Sequence, residues 1–331
     1  MAGRGRLPAA LARPELGALA GTALVWVLFA VLAGAPFLGA PGTAAYLNAA
    51  APLAILAVPV ALLMVAGEFD LSVGSVVGAA GMTIALLAGP LGWGLWPALA
   101  AALLLAIAVG ALNGVVVTRT RLPSFIVTLA TLFVLRGLTI GASRALTGRT
   151  QLGGLEATPG YDSARLLFAV EAGPFRVSIL WATAVVVAGG FVLHRTRFGN
   201  HIQATGGAAD AARSLGVPVH RLKVALFCLT AVAAWLVAAL QAVRYTGADV
   251  LRGQGLEFQA IVAAVIGGTL LSGGYGSVVG AALGALIFGI VQQGLVLVGV
   301  DADWFQVFLG AVLLAAVLFN GWVRRRALEA R

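Results

Sequence analysis

The sequence has 331 residues, of which 61% are hydrophobic and 10% are charged. Soluble domains carry about 25% charged residues, so this composition and a mean hydropathy of +1.02 exclude a soluble protein. The formal charge of +9 comes without an aromatic-and-basic nucleic-acid motif. We attribute the charge to membrane topology and to contact with the anionic lipid bilayer rather than to nucleic acid.

Long uncharged intervals predict an all-α integral membrane protein with about ten transmembrane helices, because one span needs roughly 20 apolar residues. The predicted spans are 18–38, 47–67, 71–90, 94–118, 123–143, 177–195, 224–244, 257–273, 275–299 and 304–323. The uncharged stretch that holds the first span is too long for a signal peptide, so we expect a retained helix. The spans form one transmembrane domain over residues 1–331, with no separate soluble unit.

The distribution of Lys and Arg predicts that both termini lie in the cytoplasm. With this orientation the inner segments carry fourteen of these residues and the outer segments six, as the positive-inside rule requires. Residues 144–176 then form an outer loop with turn signals at Gly153-Gly154 and Pro159-Gly160. Residues 196–222 form the main cytoplasmic segment.

Two sequence elements repeat along the chain. Residues 74–80 (GSVVGAA) recur as residues 276–282, and Asn113-Gly114 recurs as Asn320-Gly321. The matched spans run in the same sense, which predicts two halves related by an axis along the membrane normal. Chance matches among abundant Gly, Ala and Val residues are the weaker explanation.

Residues 67–75 (GEFDLSVGS) place Glu68 and Asp70 between two apolar runs. Carboxylates near membrane depth are costly and indicate function, and the glycines permit a broken helix that lines a cavity. A tight cytoplasmic turn, in which Asp70 or Ser72 caps the next span, accounts for the same residues equally well. Arg136 lies deep in the fifth span, and we expect Glu68 or Asp70 to be its partner, with snorkelling as the alternative.

The cytoplasmic segment contains an Ala-rich stretch over residues 207–215 that predicts a short helix. Gly216 is expected to end this helix, and Pro218 to prevent its continuation. Small side chains suit a helix that docks into a groove on another protein, while a solvated loop is the alternative.

No residue pattern predicts a catalytic or a metal site. Cys228 is the only cysteine, and the three histidines lack metal-ligand spacing. Gly153-Gly154 and Gly206-Gly207 are not followed by the Lys and Ser/Thr of a nucleotide-binding loop. We therefore expect that this chain is not an enzyme and binds no cofactor itself.

The sequence resembles the permease subunits of bacterial ABC importers for ribose, xylose, arabinose and galactose, within the superfamily of branched-chain amino-acid permeases. Residues 67–75 match the family's Gly-Gly-Ile-Asp-Leu-Ser-Val-Gly-Ser element except at Glu68 and Phe69. Asn113-Gly114 and the later residues 123–129 match an Asn-Gly and Pro-x-Phe-Ile-Val-Thr-Leu element. Residues 206–216 match its cytoplasmic element, with Ala208 in place of Asn.

This resemblance implies an importer of the cytoplasmic (inner) membrane that moves a monosaccharide or polyol by alternating access. It implies three protein partners within the lipid bilayer: a cytoplasmic ABC ATPase that binds ATP, an extracytoplasmic sugar-binding protein, and a second permease as homodimer or close paralogue. The pathway or gate residues that it implies, together with those above, are Glu68, Asp70, Ser72, Ser75, Asn113, Arg136, Ser272 and Tyr275. The ATPase-coupling residues that it implies are Gly206, Gly207, Asp210, Ala211, Ala212, Arg213 and Gly216.

Three other functions compete with this interpretation. An ion-coupled secondary sugar transporter would use Glu68, Asp70 and Arg136 as an ion site, although such a protein usually has more intramembrane carboxylates. An ABC permease for a branched-chain amino acid or a nucleoside fits the same motifs. A membrane-embedded enzyme lacks a nucleophile–base pair.

Overall fold

The computed structural model describes residues 14–301, 303–308, 310–312 and 314, and helices dominate this part of the chain. The helices are α1 (Pro14–Ala33), α2 (Ala35–Leu38), α3 (Ala40–Val65), α4 (Val73–Ala88), α5 (Leu95–Thr120), α6 (Ser124–Thr147), α7 (Tyr161–Phe168), α8 (Ser178–Arg195), α9 (Arg197–Gly207), α10 (Ala209–Ser214), α11 (Val219–Arg244), α12 (Leu256–Ile266) and α13 (Val278–Leu297). The strands are β1 (Gln151–Gly153), β2 (Glu171–Ala172), β3 (Phe175–Arg176) and β4 (Gly247–Asp249). Most of the predicted span 304–323, and with it the second Asn-Gly pair at Asn320-Gly321, lies outside the described residues.

Within the described residues, seven helices are long and apolar enough to cross a membrane. They are α1, α3, α5, α6, α8, α11 and α13, while α4 and α12 are apolar but shorter. This confirms a mostly helical membrane protein. The number of ten spans, their orientation and the symmetry of the two halves stay predictions.

Helix α3 is the centre of the bundle. In the most apolar 18-residue stretch of α3, 89% of the residues are buried, whereas the share is 33% or less in the corresponding stretches of α1, α5, α6 and α8. Helix α3 packs against α8, α11, α12 and α13, so lipid is left to the outer helices. Helices α5 and α11 also approach each other closely, because Gly114 of α5 has no side chain. A Cβ at this position would lie 2.6 Å from the Cα of Val224 on α11.

Helix α12 ends at Ile266, well before the end of the predicted span 257–273. Gly267 lies so close to Gly280 of α13 that a Cβ would overlap the Gly280 backbone. Gly268 then takes a φ of +88°, which a helix does not allow. The apolar residues that follow are therefore not helical, a difference that hydropathy does not reveal.

The two predicted connections both contain regular structure. In the 144–176 loop, β1 pairs antiparallel with β4, and the Tyr161 hydroxyl donates to the carbonyl of Val243. In the 196–222 segment, helix α10 occupies the Ala-rich stretch and ends before Gly216, whose φ is +86°. Helix α9 was not expected there, and α11 begins directly after Pro218, where a missing N–H costs no hydrogen bond within the helix.

Candidate functional site

Helix breaks interrupt the bundle at two places. The first break, residues 66–72, joins α3 to α4, and the second break, residues 267–277, joins α12 to α13. Non-helical backbone at membrane depth needs internal hydrogen-bond partners, because lipid offers none. The partners of the two breaks therefore define the site.

Asp70 of the first break is the centre of a buried polar network. Its carboxylate accepts from the backbone amide and the hydroxyl of Ser72, at 2.9 and 2.6 Å, and from the Thr230 hydroxyl of α11 at 2.6 Å. Asn113 of α5 donates to the Ser72 hydroxyl at 2.9 Å and accepts from Thr131 of α6 at 2.6 Å. The network joins three helices to the start of α4.

The hydrogen bonds of Asp70 extend beyond those of a simple cap on α4. Ser72 is the residue before α4, but its side chain makes no capping hydrogen bond to the helix. Asp70 instead holds the Ser72 amide and hydroxyl together, with only 1% of Asp70 exposed. The carboxylate thus orders the entry to α4 and also reaches the neighbouring helices, which a simple surface cap would not do.

Helix α6 supplies the remaining partners of the first break. The amide of Phe69 donates to the Ser124 hydroxyl at 3.0 Å, and the amide of Leu71 donates to the Thr128 hydroxyl at 3.1 Å. Both hydroxyls are buried and belong to the 123–129 motif. Ser75, within α4, donates to the carbonyl of Leu132 at 3.0 Å. Two motifs more than 50 residues apart are therefore parts of one structure.

Glu68 forms an ion pair with Lys223, at the start of α11. Both side chains are mostly buried, with 11% of Glu68 and 16% of Lys223 exposed. The acid that replaces the family glycine at position 68 is thus matched by a nearby base. Charge pairing of this kind lowers the cost of placing Glu68 at the end of the bundle.

The second break contacts both the first break and the 196–222 segment through glycines. The Gly274 amide donates to the Val65 carbonyl at 2.8 Å. A Cβ on Gly273 would lie 2.9 Å from the Cα of Gly67, and one on Gly274 would lie 3.2 Å from the Cα of Gly207. A Cβ on Gly206 would overlap the Val65 carbonyl oxygen. The three segments therefore meet backbone to backbone, with no room for a side chain at Gly206 or Gly273.

The expected partner of Arg136 is wrong. Arg136 pairs with Glu257 in the first turn of α12, at 3.7 Å between Nη2 and Oε1, and not with Glu68 or Asp70. Arg136 lies eight residues, or about 12 Å along the axis of α6, beyond Thr128, which contacts the first break, and this puts Glu68 and Asp70 out of reach. Glu257 is 2% exposed and contacts Gly74 of α4 so closely that a Cβ there would overlap Oε2.

Ser272 and Tyr275 are exposed within the second break and lie outside the Asp70 network. The Leu270 amide donates to the Tyr275 carbonyl at 3.0 Å and closes the turn that holds them. Helix α10 is also exposed, apart from the half-buried Ala209 and the buried Ala212. Asp210 and Arg213 form an ion pair at 2.9 Å on its surface, with 95% and 62% of their side chains exposed. Ala211 and Gly216 are exposed beside them.

Sequence analysis did not identify Glu257, Thr230, Thr131 or Lys223 as site residues. Glu257 carried a usable signal, because it is an acid at the border of the long uncharged interval 258–300. The threonines carried none, since a Thr in an apolar helix commonly bonds to its own backbone. Only the fold reveals that their hydroxyls face Asp70 and Asn113.

Comparison with known proteins adds evidence independent of this geometry. Residues 42–317 match the family described as branched-chain amino acid transport system / permease component. The chain is 36% identical over 272 residues to the ribose import permease protein RbsC of Escherichia coli (strain K12), covering 81% of both chains. It is 34% identical over 273 residues to the autoinducer 2 import system permease protein LsrC of Yersinia pestis (strain Pestoides F), covering 82% of this chain and 75% of the relative. No solved structure matches the chain.

Proposed function

This chain belongs to the family of branched-chain amino acid transport system permease components, and on that premise we propose that it imports a monosaccharide or a related polyol. It is a multi-pass permease subunit of an ABC importer in the bacterial inner membrane, and transport rather than catalysis is its task. The two relatives above are named for the import of ribose and of autoinducer 2, which supports a small, polar, hydroxylated cargo.

The observation that carries the proposed mechanism is the glycine contact between the 196–222 segment and the two breaks. Gly206 contacts the Val65 carbonyl, and a Cβ on Gly206 would lie 2.5 Å from the Gly274 amide nitrogen. Tightly packed backbones cannot slide past one another without a discrete repacking. A force on α10 is therefore transmitted directly to the ends of α3 and α13, where the breaks lie.

That force comes, in this proposal, from a cytoplasmic ABC ATPase. Helix α10 and its C-cap residue present Asp210, Arg213 and Leu215 on an exposed surface, and a short helix of this kind fits a groove on a partner. ATP binds and is hydrolysed on that partner, which prefers one of two arrangements of the importer and so shifts their populations. Alternating access then needs no cofactor on this chain.

The proposed assembly contains two permeases, either two copies of this chain or a close paralogue pair, and an extracytoplasmic sugar-binding protein. We place both termini in the cytoplasm, with ten spans in two halves related by an axis along the membrane normal. The two helix breaks, both at the end of the bundle that contacts α9, support this internal relation. The binding protein would contact the opposite end, where the 144–176 loop carries α7 and the β1–β4 pair.

The test is uptake of labelled D-ribose, D-xylose and D-galactose by membrane vesicles that hold this chain with its co-encoded ATPase and binding protein. We expect uptake that requires ATP and the binding protein and that persists when ionophores collapse the ion gradients. Uptake by this chain alone that stops with the gradient would instead establish an ion-coupled transporter. Uptake of L-leucine or a nucleoside in place of the sugars would show that the chain serves an ABC importer with a different cargo.

A further inference from the structure

Helix α7 is a short helix of the 144–176 loop, at the end of the bundle opposite the two helix breaks. It packs against α5 and α11. The Tyr161 hydroxyl donates to the carbonyl of Val243, in the last turn of α11, at 3.0 Å. The Leu95 amide, at the start of α5, donates to the Pro159 carbonyl just before α7 at 2.8 Å. These contacts hold α7 across the ends of the long helices.

Two tryptophans indicate the depth of α7 in the membrane. Trp96 lies in the first turn of α5, and Trp181 lies in the first turn of α8. The Trp96 indole donates to the Ser163 hydroxyl at 2.9 Å, and the Trp181 indole donates to the Leu167 carbonyl at 3.0 Å. Tryptophan is enriched where a membrane meets water, because its ring is apolar and its N–H needs a polar partner. Since both indoles bond to α7, this helix lies at the same depth.

The helices that carry these tryptophans face lipid. Only 33% of the most apolar stretch of α5 is buried, and only 22% of that of α8. Along α8, the side chains of Leu180, Val187 and Phe191 are 68%, 66% and 61% exposed. An apolar surface of this extent marks contact with a membrane. Leu180 adjoins Trp181, so the lipid-facing surface of α8 continues as far as α7.

Helix α7 itself has three different sides, because successive residues of an α-helix are turned by about 100°. Ala164 and Phe168 are buried against the bundle. Arg165 is exposed on a second side. Leu166 and Leu167 are 71% and 43% exposed on a third side. A helix with a charged side and an exposed apolar side suits a position in the plane of a membrane surface.

The bilayer accounts for the apolar side of α7 better than a soluble partner does. The hydrogen bond from Trp181 joins Leu167 to the lipid-facing surface of α8. A soluble partner would leave Leu166 and Leu167 in water whenever it dissociated, at a cost for each apolar side chain. The bilayer is present at all times. Arg165 points away from Leu167, because two residues along a helix correspond to a turn of about 200°, and it is left for water.

We propose that α7 is an interfacial helix, with Leu166 and Leu167 inserted among the lipid headgroups and upper acyl chains and with Trp96 and Trp181 as its fixed supports. In the proposed orientation this is the outer leaflet. The helix then anchors the outer ends of α5 and α8 to the membrane surface and leaves its own polar side to the water. This inference concerns the partner of one surface and does not depend on the cargo.

Depth-dependent fluorescence quenching tests this proposal with the full chain in vesicles of phosphatidylethanolamine and phosphatidylglycerol. Cys228 is the only cysteine, so Leu166→Cys and Leu167→Cys in a Cys228→Ala background can each carry one small bimane label. Lipids brominated near the headgroup should quench both labels more strongly than lipids brominated at the acyl ends. The depth calculated from the two should be about 15 Å from the bilayer centre, half of a hydrocarbon core of roughly 30 Å. Iodide in the aqueous phase should have little effect.

Arg165→Cys is the matched control, because Arg165 is exposed on the same helix and on a different side. Its label should show the reverse pattern, with strong quenching by iodide and little by brominated lipid. Equal quenching by iodide at positions 165, 166 and 167 would overturn the proposal, because α7 would then lie in water. The co-encoded binding protein is the alternative occupant. If iodide quenches the labels at 166 and 167 until that protein is added, the apolar side belongs to the binding protein and not to lipid.

A second measurement needs no cysteine, in case the labelled variants do not fold. The emission that is lost in Trp96→Phe comes from the indole that bonds to Ser163 of α7. In the wild type this part of the emission should be quenched by the lipids brominated near the headgroup. Quenching by iodide alone would contradict the interfacial depth. Both measurements are independent of transport, so their failure leaves the proposed function unchanged.

Discussion

Gly206→Ala is expected to uncouple transport, because the position has no space for a methyl group. Its Cβ would overlap the Val65 carbonyl oxygen and lie 2.5 Å from the Gly274 amide nitrogen. That amide is the donor to Val65, so the new methyl group separates the second break from α3. Overpacking of this kind costs about 1–3 kcal/mol. The change from Gly to Ala in a helix returns at most about 1 kcal/mol, so a net loss remains.

The neighbouring residue provides the control. Gly207 is also in α9, and a Cβ there would meet nothing within 4 Å. Gly207→Ala therefore changes helix propensity without changing the contact. Uptake and ATP hydrolysis stimulated by the binding protein should be measured for both variants in the reconstituted importer, together with thermal stability. We expect Gly206→Ala to lose transport per ATP hydrolysed while Gly207→Ala keeps it. Equal transport by both variants would refute the glycine contact as the coupling route.

Two further predictions concern the polar groups at the same end of the bundle. Asp70→Ala should lower the midpoint of thermal unfolding and reduce uptake, because it removes the acceptor of the Ser72 amide and of the Ser72 and Thr230 hydroxyls, and a buried polar group left unpaired costs about 1–3 kcal/mol. Asp162→Ala, at an exposed position, is the control, and equal midpoints would contradict the network. Arg213→Glu should abolish ATP-driven uptake with little change in thermal stability, because the Arg213–Asp210 ion pair is exposed and surface ion pairs contribute about 0–1 kcal/mol. Arg165→Glu on the outer loop is the control. Unchanged co-purification of the ATPase with the Arg213→Glu variant would contradict the docking role of α10.

The sequence predicts the helices well wherever charge ends an apolar run. Arg119 and Arg121 mark the end of α5, and Arg195 marks the end of α8. It does not predict the early end of α12, because Gly267-Gly268 sits inside an apolar run and Thr269–Leu271 is as apolar as a helix would be. Glycine is frequent in membrane helices and so is a weak signal for a break. Helix α12 ends where Gly267 contacts the backbone of Gly280 in α13, and this is a tertiary contact.

The motif residues of the candidate site were predictable from the sequence, but their partners in other helices were not. Asp70, Ser72 and Asn113 were identified from motifs, and the structure joins them directly. The residues that complete the network, Thr230 and Thr131, lie in other helices without any distinguishing pattern. Pairings across the bundle depend on helix packing and rotation, which follow from small side chains at contacts such as Gly114 with Val224. One sequence does not specify that packing in advance.

The buried ion pair of Arg136 and Glu257 is a pairing that bears on the mechanism. The two charges are separated by 3.7 Å, and Arg136 Nη2 and Glu257 Oε2 make no hydrogen bond within the described residues. A buried pair with free polar atoms contributes little net stability, yet removal of one partner costs about 3–5 kcal/mol because the other stays charged and buried. Arg136→Leu and Glu257→Leu should therefore each lower thermal stability strongly, and the double variant should recover most of the loss. If the double variant is stable but does not transport, the pair is kept for movement of α12 against α6 rather than for folding. If the single variants are as stable as the wild type, both side chains reach water and the pair has no structural role.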